Sequence, residues 1–135
     1  MARYLLDTNH LSPLVTLGHR LRTRVLAGLA NGDEFAIPVP ALTEFLFGIQ
    51  MTARVASNLQ EWERLQDSFG YYTIDRRDAE EAASLQATLR RTGWQLTTVD
   101  ALIATVALRN RLTLLTTDGD FSAVVHLQQK NWLED

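Results

Sequence analysis

Short apolar, β-like runs alternate along the chain with longer segments of helical periodicity, and this alternation constrains the fold more than any other feature. Strands are predicted at residues 2–6, 35–37, 71–74, 112–115 and 126–128. Helices are predicted at residues 12–17, 19–30, 40–52, 55–68, 77–92, 97 or 98 to 110, and, as a short turn, 118–124. Strands separated by helices form βαβ units, which build a parallel sheet covered on both faces. We therefore predict an α/β fold, an α/β/α sandwich with a central parallel sheet.

The length and composition favour one globular domain over residues 1–135. The chain shows no internal repeat and no linker-like stretch, and 135 residues is a common domain size. It contains no cysteine, and its three histidines, His10, His19 and His126, have no metal-pair spacing. Disulfide scaffolds and thiolate zinc sites are therefore excluded.

The charge pattern gives a weaker indication about partners. The net charge is −3, so bulk charge does not draw the protein to nucleic acid. The chain nevertheless has 12 arginines and one lysine, which fits either an anionic partner or a GC-rich codon usage. The N-terminus lacks a signal-peptide pattern, and the longest apolar stretch, residues 99–108, is too short to span a bilayer. We expect a cytoplasmic protein without membrane association.

Two aspartates directly follow β-like runs. Asp7 comes after Tyr4-Leu5-Leu6, and Asp118 comes after Leu114-Leu115-Thr116-Thr117. Each also has an ordinary structural interpretation, because Asp7 can cap the next helix and Asp118 can form an Asp-Gly turn. Ligands bind at the carboxyl ends of the strands in such sheets, so both residues are candidates for a functional site.

Two further acids lie among apolar residues of predicted helices. Glu44 belongs to the segment 41–50, which we expect to be largely buried; the alternative is a glutamate on one solvent-facing strip. Asp100 shares a helix face with Ile103, Ala104 and Ala107, although an acid in the first turn also complements the helix dipole. Carboxylates gathered at one edge repel one another unless a cation joins them. Oxygen ligands alone favour Mg²⁺ or Mn²⁺, which usually serve phosphate-ester chemistry.

Other phosphate-handling classes on related folds do not fit the motifs. A haloacid-dehalogenase-type phosphatase requires Asp-x-Asp after the first strand, where this chain has Asp7-Thr8-Asn9. A phospho-receiver domain requires a well-placed lysine, and Lys130 lies too near the end of the chain. The glycine-rich loop of P-loop nucleotidases is absent from the sequence.

Four segments in order resemble the signature of PIN-domain ribonucleases, most closely VapC-type toxins of toxin–antitoxin pairs. They are Leu5-Leu6-Asp7-Thr8-Asn9, Thr43-Glu44-Phe45-Leu46-Phe47-Gly48, Val99-Asp100-Ala101-Leu102-Ile103-Ala104-Thr105-Val106-Ala107 and Thr116-Thr117-Asp118-Gly119-Asp120-Phe121. The resemblance covers essentially the whole chain. It implies a Mg²⁺- or Mn²⁺-dependent endoribonuclease with an α/β/α fold, a homodimer, an RNA substrate and a cognate antitoxin that covers the active site.

Carried over residue by residue, the resemblance assigns catalytic and metal-binding roles to an acidic quartet, Asp7, Glu44, Asp100 and Asp118. It assigns supporting roles to Asn9, Thr116 and Asp120, and whether Asp120 contacts metal stays open. Arginines that could contact RNA, or form ordinary solvated helix faces, are Arg20, Arg22, Arg24, Arg90, Arg91, Arg109 and Arg111. The alternatives to an RNA-cleaving enzyme are a non-cleaving RNA- or protein-binding module and a nuclease that acts on DNA.

Overall fold

A computed structural model describes residues 1–134, and one five-stranded sheet runs through them. The strands are β1 (Arg3–Leu6), β2 (Glu34–Pro38), β3 (Gly70–Tyr72), β4 (Thr113–Leu115) and β5 (Gln129–Lys130). Every pairing between neighbouring strands is parallel. Six α-helices flank the sheet: α1 (Thr8–Leu11), α2 (Arg20–Ala30), α3 (Val39–Gln50), α4 (Val55–Leu65), α5 (Arg76–Arg91) and α6 (Thr98–Asn110). The predicted α/β/α sandwich with a central parallel sheet is confirmed.

The strand order β3-β2-β1-β4-β5 reverses direction between β1 and β4. The chain builds outward from β1 to β3, then crosses back through α5 and α6 to place β4 on the other side of β1. Leu5 is consequently paired with Ala36 on one side and with Leu114 on the other. Ligands of open parallel sheets bind outside the carboxyl ends of the strands at such a reversal. The topology therefore places a candidate ligand site at the residues that follow β1 and β4.

The central strands are buried on both faces. Leu5 and Leu6 of β1, Ile37 of β2, and Leu114 and Leu115 of β4 are all fully buried. Continuous apolar strands of this kind are characteristic of parallel sheets with helices on each face. Within residues 1–134, the helices are too short or too polar to cross a membrane.

Helix ends are fixed by side chains that the sequence places at the caps. The side chain of Asp75 accepts a hydrogen bond from the Asp78 amide while the Asp78 side chain accepts one from the Asp75 amide, which forms a capping box at the start of α5. Thr97 accepts from the amide of Asp100 and starts α6. These are the positions where the sequence predicts the two helices to begin.

Two sequence predictions about elements are wrong in position. The first helix begins at Thr8 rather than Ser12, because Asp7 caps it as soon as β1 ends; Ser12–Val15 forms a 3-10 turn. The last strand is Gln129–Lys130 rather than 126–128, because His126 adopts a positive φ of 68°, which breaks an extended run. Other predicted boundaries differ by only a few residues: β3, for instance, is predicted at 71–74 and lies at Gly70–Tyr72.

We predict opposite effects on stability for alanine at two helical glycines. A Cβ at Gly28 in α2 would lie 2.9 Å from the buried ring of Phe35, which stacks on Tyr4 and has little room to move. A Cβ at Gly48 in α3 would meet nothing within 4 Å. Gly28→Ala should therefore lower the free energy of unfolding by roughly 1–2 kcal/mol, as overpacking does. Gly48→Ala should raise it by roughly 0.5–1 kcal/mol through helix propensity. Urea denaturation measures both, and equal shifts would contradict the packing argument.

Candidate metal centre

Asp7 lies at the carboxyl end of β1 and is buried, with 6% of its surface exposed. Its Oδ1 accepts a hydrogen bond of 2.8 Å from the amide of Thr8. Its Oδ2 accepts one of 2.8 Å from the hydroxyl of Thr116 and one of 3.3 Å from the amide group of Asn9. Asp7 thus caps α1 and is at the same time held in a fixed orientation at the sheet edge. The structural and functional interpretations of this residue are compatible.

Thr116 joins the end of β1 to the end of β4. Besides donating to Asp7, its hydroxyl oxygen accepts a hydrogen bond of 3.0 Å from the amide of Asp118. The Asn9 side chain makes a second link, because its Oδ1 accepts from the amide of Thr117 at 3.1 Å. Asp118 in turn accepts from the amide of Asp120 and caps the 3-10 turn Gly119–Ala123. Of the three residues predicted to support the site, Asn9 and Thr116 therefore contact Asp7 directly.

Three carboxylates converge at this edge. One oxygen each from Asp100, Asp118 and Asp120 lies within 4.8 Å of the others. Oxygens on opposite sides of a bound Mg²⁺ are about 4.2 Å apart, so small side-chain adjustments would let these three share one ion. The donors are all carboxylate oxygens, the chemistry that Mg²⁺ and Mn²⁺ select. The residues present fit a divalent cation, and the carboxylate of Asp120 is one of the three that converge.

Glu44 lies in a different environment from the one expected. The prediction that α3 is largely buried is wrong, because Glu44 is exposed together with Phe47 and Gly48, and only Ala41, Phe45 and Ile49 are buried in this helix. Apolar residues on the outer face of α3 produced the misleading pattern. The Oε1 atom of Glu44 accepts a hydrogen bond of 3.2 Å from the Thr8 hydroxyl, so the side chain still points toward the residue after Asp7. Its role as a ligand stays a prediction.

Burial and nearby charge shift the pKa values of two acids. Burial raises the pKa of Asp7, and the charges of Asp118 and Glu44 add to this, whereas hydrogen bonds from Thr116 and Thr8 oppose it. Burial, followed by the charges of Asp7 and Asp118, raises the pKa of Asp100 to about 6. Carboxyl groups crowded in this way create a negative potential that a divalent cation would neutralise.

Sequence reasoning missed His10, which is fully buried in α1. Its Nε2 accepts a hydrogen bond of 3.1 Å from the amide of Trp132, so Nδ1 carries the proton and donates to Asn9 Oδ1 at 2.7 Å. Burial lowers the pKa of His10 to about 4. This neutral histidine connects the C-terminal segment to Asn9 and through it to Asp7. No sequence signal identified it, because its partner is 122 positions away.

Most of the candidate RNA-binding arginines have structural contacts. Arg22 pairs with Glu61, and Arg109 pairs with Asp75 and Asp78. Arg20 donates to the carbonyl of Leu133 and Arg24 lies over the ring of Trp132, so both hold the C-terminal segment. Arg111 is the left-handed C-cap of α6, at the end of the sheet away from the acids.

The two arginines in the last turn of α5 are placed differently. Arg90 and Arg91 are both exposed there. Arg90 lines a cleft together with Thr97 and Thr98, at the start of the helix that carries Asp100. Arg90 therefore holds an exposed guanidinium at a cleft beside the N-terminal end of α6.

The fold and the site together define a class of protein. It is a doubly wound α/β domain whose sheet reversal carries an oxygen-only acidic centre. A family model described as PIN domain matches residues 4–127, and the chain therefore belongs to the PIN domain family. A search of curated protein sequences finds no significant match.

Solved structures show the same fold at low sequence identity. VapBC2 from Rickettsia felis, bound to a promoter DNA fragment, contains a chain with a TM-score of 0.83 and 21% identity over 96% of this chain and 98% of that one. A chain of DNA-bound VapBC from Salmonella typhimurium has a TM-score of 0.81 and 21% sequence identity, over 98% of this chain and 99% of that one. A chain of VapBC-5 from Mycobacterium tuberculosis has a TM-score of 0.66 and 23% sequence identity, over 97% of this chain and 98% of that one. The match over nearly the full length of each chain establishes the fold.

We predict that Asp100→Asn stabilises the metal-free protein at neutral pH. The folded pKa of Asp100, about 6, lies above its ordinary value of 3.8, so the stability that this residue contributes falls as pH rises between those values. Asparagine carries no charge and avoids this loss of stability. The free energy of unfolding at neutral pH should therefore rise by about 1 kcal/mol, after allowance for solvent screening of this partly exposed group. Unfolding in excess EDTA at pH 4 and at pH 7.5 measures it. The exposed control Glu63→Gln should show no such pH-dependent difference, and an Asp100→Asn variant destabilised at pH 7.5 would identify Asp100 as a structural cap.

We predict that His10 makes the protein sensitive to mild acid. Its folded pKa of about 4 lies below its ordinary 6.5, so the stability from neutral His10 is complete above pH 6.5 and is lost as pH falls toward 4. The loss should reach roughly 2–3 kcal/mol. His10→Gln should be less stable at pH 7 but should show a flatter acid limb in urea unfolding between pH 7 and pH 4. His126→Gln, at an exposed histidine, should keep the wild-type slope.

Proposed function

We propose that this chain is a Mg²⁺- or Mn²⁺-dependent endoribonuclease, that it acts as the toxin of a toxin–antitoxin pair, and that residues 1–135 form one PIN domain. The observation that carries the proposal is the convergence of Asp100, Asp118 and Asp120 beside the fixed carboxylate of Asp7 at the sheet reversal. Membership of the PIN domain family supports it. We further propose that the protein acts in the cytoplasm, where an RNA substrate would be available.

The catalytic proposal assigns metal-binding roles to Asp7, Glu44, Asp100 and Asp118, with Asp120 as a further ligand. When bound, the cation would supply Lewis-acid activation of water and charge neutralisation at the scissile phosphate. Hydrogen bonds from Thr8, Asn9 and Thr116 favour the ionised form of Asp7, which a cation requires, against the opposing effect of burial.

Orientation of the acids is the chain's own contribution to such a reaction. Thr116 contacts both Asp7 and the amide of Asp118, so it fixes the spacing between the ends of β1 and β4. Thr97 anchors the first turn of α6 and thereby the position of Asp100. A centre held from three elements of the fold aligns substrate without reorganisation, which is a large source of rate in phosphate-ester hydrolysis.

Exposed apolar side chains support the proposed protein partners. Phe47 and Met51, one turn apart at the outer face and C-terminal end of α3, are 64% and 68% exposed, and Leu17 is 72% exposed. Uncovered apolar side chains on the helix that carries Glu44 are suited to an antitoxin segment that covers the site. Chains similar to this one were solved as VapBC complexes. We also propose a homodimer, which would bury further exposed apolar residues such as Val125.

We predict that Asp7→Asn abolishes RNA cleavage while leaving the fold intact. The neutral amide keeps the cap geometry of Asp7 but removes a charge that the cation needs. Purified parent and variant are incubated with mixed single-stranded RNA in Mg²⁺, in Mn²⁺ and in excess EDTA, beside the surface control Glu63→Gln. Metal-dependent cutting by the parent and by Glu63→Gln only, with a drop of at least about a hundredfold for Asp7→Asn, is expected.

Parallel arms separate the remaining possibilities. Equal cutting by all three proteins would reveal a contaminating nuclease. Cutting of DNA instead of RNA would identify a deoxyribonuclease, and RNA binding without cutting or metal requirement would identify a binding module. For the partner, the product of a small reading frame directly upstream of the gene should abolish cleavage by the parent and co-purify with it; cleavage unaffected by that product would contradict the toxin assignment.

A further inference from the structure

Trp94 differs from the other two tryptophans of the chain in its exposure. Trp62 and Trp132 are 4% and 8% exposed and belong to the core, whereas Trp94 is 36% exposed in the loop between α5 and α6. Its sequence neighbours Gly93 and Gln95 are also exposed. The ring therefore presents an uncovered aromatic face at the surface of this loop.

The loop holds this ring in a fixed position. The amide of Trp94 donates to the carbonyl of Leu89 at 3.0 Å, and Gly93, with a φ of +86°, makes the turn that ends α5. On the far side of Trp94, the side chain of Gln86 donates to the carbonyl of Leu96 at 3.0 Å. The ring is pre-organised, so little conformational entropy would be lost when a ligand contacts it.

The indole contacts the main chain of one residue of the acidic centre. Its Nε1 donates a hydrogen bond of 2.9 Å to the backbone carbonyl of Asp120, one of the three clustered carboxylates. A cleft of about 590 Å³ adjoins the same loop, and its polar lining includes Arg90, Gln95 and Thr97. An aromatic face beside the acids and a guanidinium in the adjoining cleft match the two parts of a nucleotide, the base and the phosphate.

We propose that Trp94 forms a stacking site for an unpaired base of single-stranded RNA close to the scissile phosphate. The inference rests on the proposed ribonuclease function and adds a substrate contact to it. The acids repel the RNA backbone, and base stacking on an aromatic ring is an uncharged contact that this repulsion does not weaken. Because every base has a stacking face, the site favours unpaired nucleotides over a particular sequence.

The test uses full-length protein carrying Asp7→Asn in Mg²⁺, so that a short single-stranded RNA stays intact. Binding should quench the tryptophan fluorescence, since Trp94 is the exposed tryptophan of the chain. In the same background, Trp94→Leu should lose the quenching and weaken binding about 5- to 140-fold, the range that corresponds to the stacking energy of one base. Trp94→Phe, which keeps the face and loses the bond to Asp120, should stay within about threefold of the parent, because stacking tolerates a change of ring. Tyr71→Leu, at an exposed tyrosine of β3, the strand at the opposite edge of the sheet, should change nothing.

An abasic scan of the RNA locates the stacked base. Removal of that base should weaken binding by the Trp94-containing protein as much as Trp94→Leu does, and should have no further effect on the leucine variant. Equal RNA affinity with and without the Trp94→Leu substitution would overturn the inference. Equal losses from Trp94→Phe and Trp94→Leu would overturn it in favour of a positioning role through Asp120, and a Trp94-dependent self-association without RNA would show a protein contact instead. RNA binding with the expected Trp94 effects, in a parent that cuts no RNA, would refute the ribonuclease and keep the stacking site.

Discussion

Repulsion among carboxylates at the sheet reversal is the constraint on which the rest of the structure depends. Asp7, Asp100 and Asp118 come from three separate parts of the fold. Burial raises the pKa of Asp7 and of Asp100, and the charge of Asp118 raises both further. Left to electrostatics alone, these groups would move apart, so the fold must hold them. The β1–β4 pairing and the buried core beneath it supply that restraint, and a divalent cation would relieve the repulsion.

Hydrogen bonds convert that restraint into a defined geometry. Thr116 and Asn9 donate hydrogen bonds to Asp7. His10 donates one to Asn9 and accepts one from the backbone amide of Trp132. These hydrogen bonds connect Trp132, near the end of the chain, to the end of the first strand through neutral groups that are largely shielded from water. A buried network of this kind is rigid when every member is satisfied. The acidic site therefore depends on the segment around Trp132, which reaches it through these hydrogen bonds.

Much of the architecture was predictable because local signals agree with the final fold. The apolar strands around Leu5 and Leu114, the cap at Asp75 and the cap at Thr97 act through neighbours in sequence, so pattern reasoning finds them. It failed where the outcome depends on distant packing. Apolar residues on both faces of α3 indicated a buried helix, yet Phe47 is left uncovered and Glu44 faces solvent.

The sequence by itself determined the element types, the parallel sheet and the acids that follow its strands, because these depend on periodicity, turn chemistry and the common direction of parallel strands. Only the tertiary structure decided which oxygens converge. It brought Asp120 into the cluster with Asp100, set Glu44 on an exposed face, and joined His10 to Trp132 and Trp94 to Asp120. Those relations join residues far apart in the chain, and their distances are set by the packing of helices on the sheet, which no local pattern encodes.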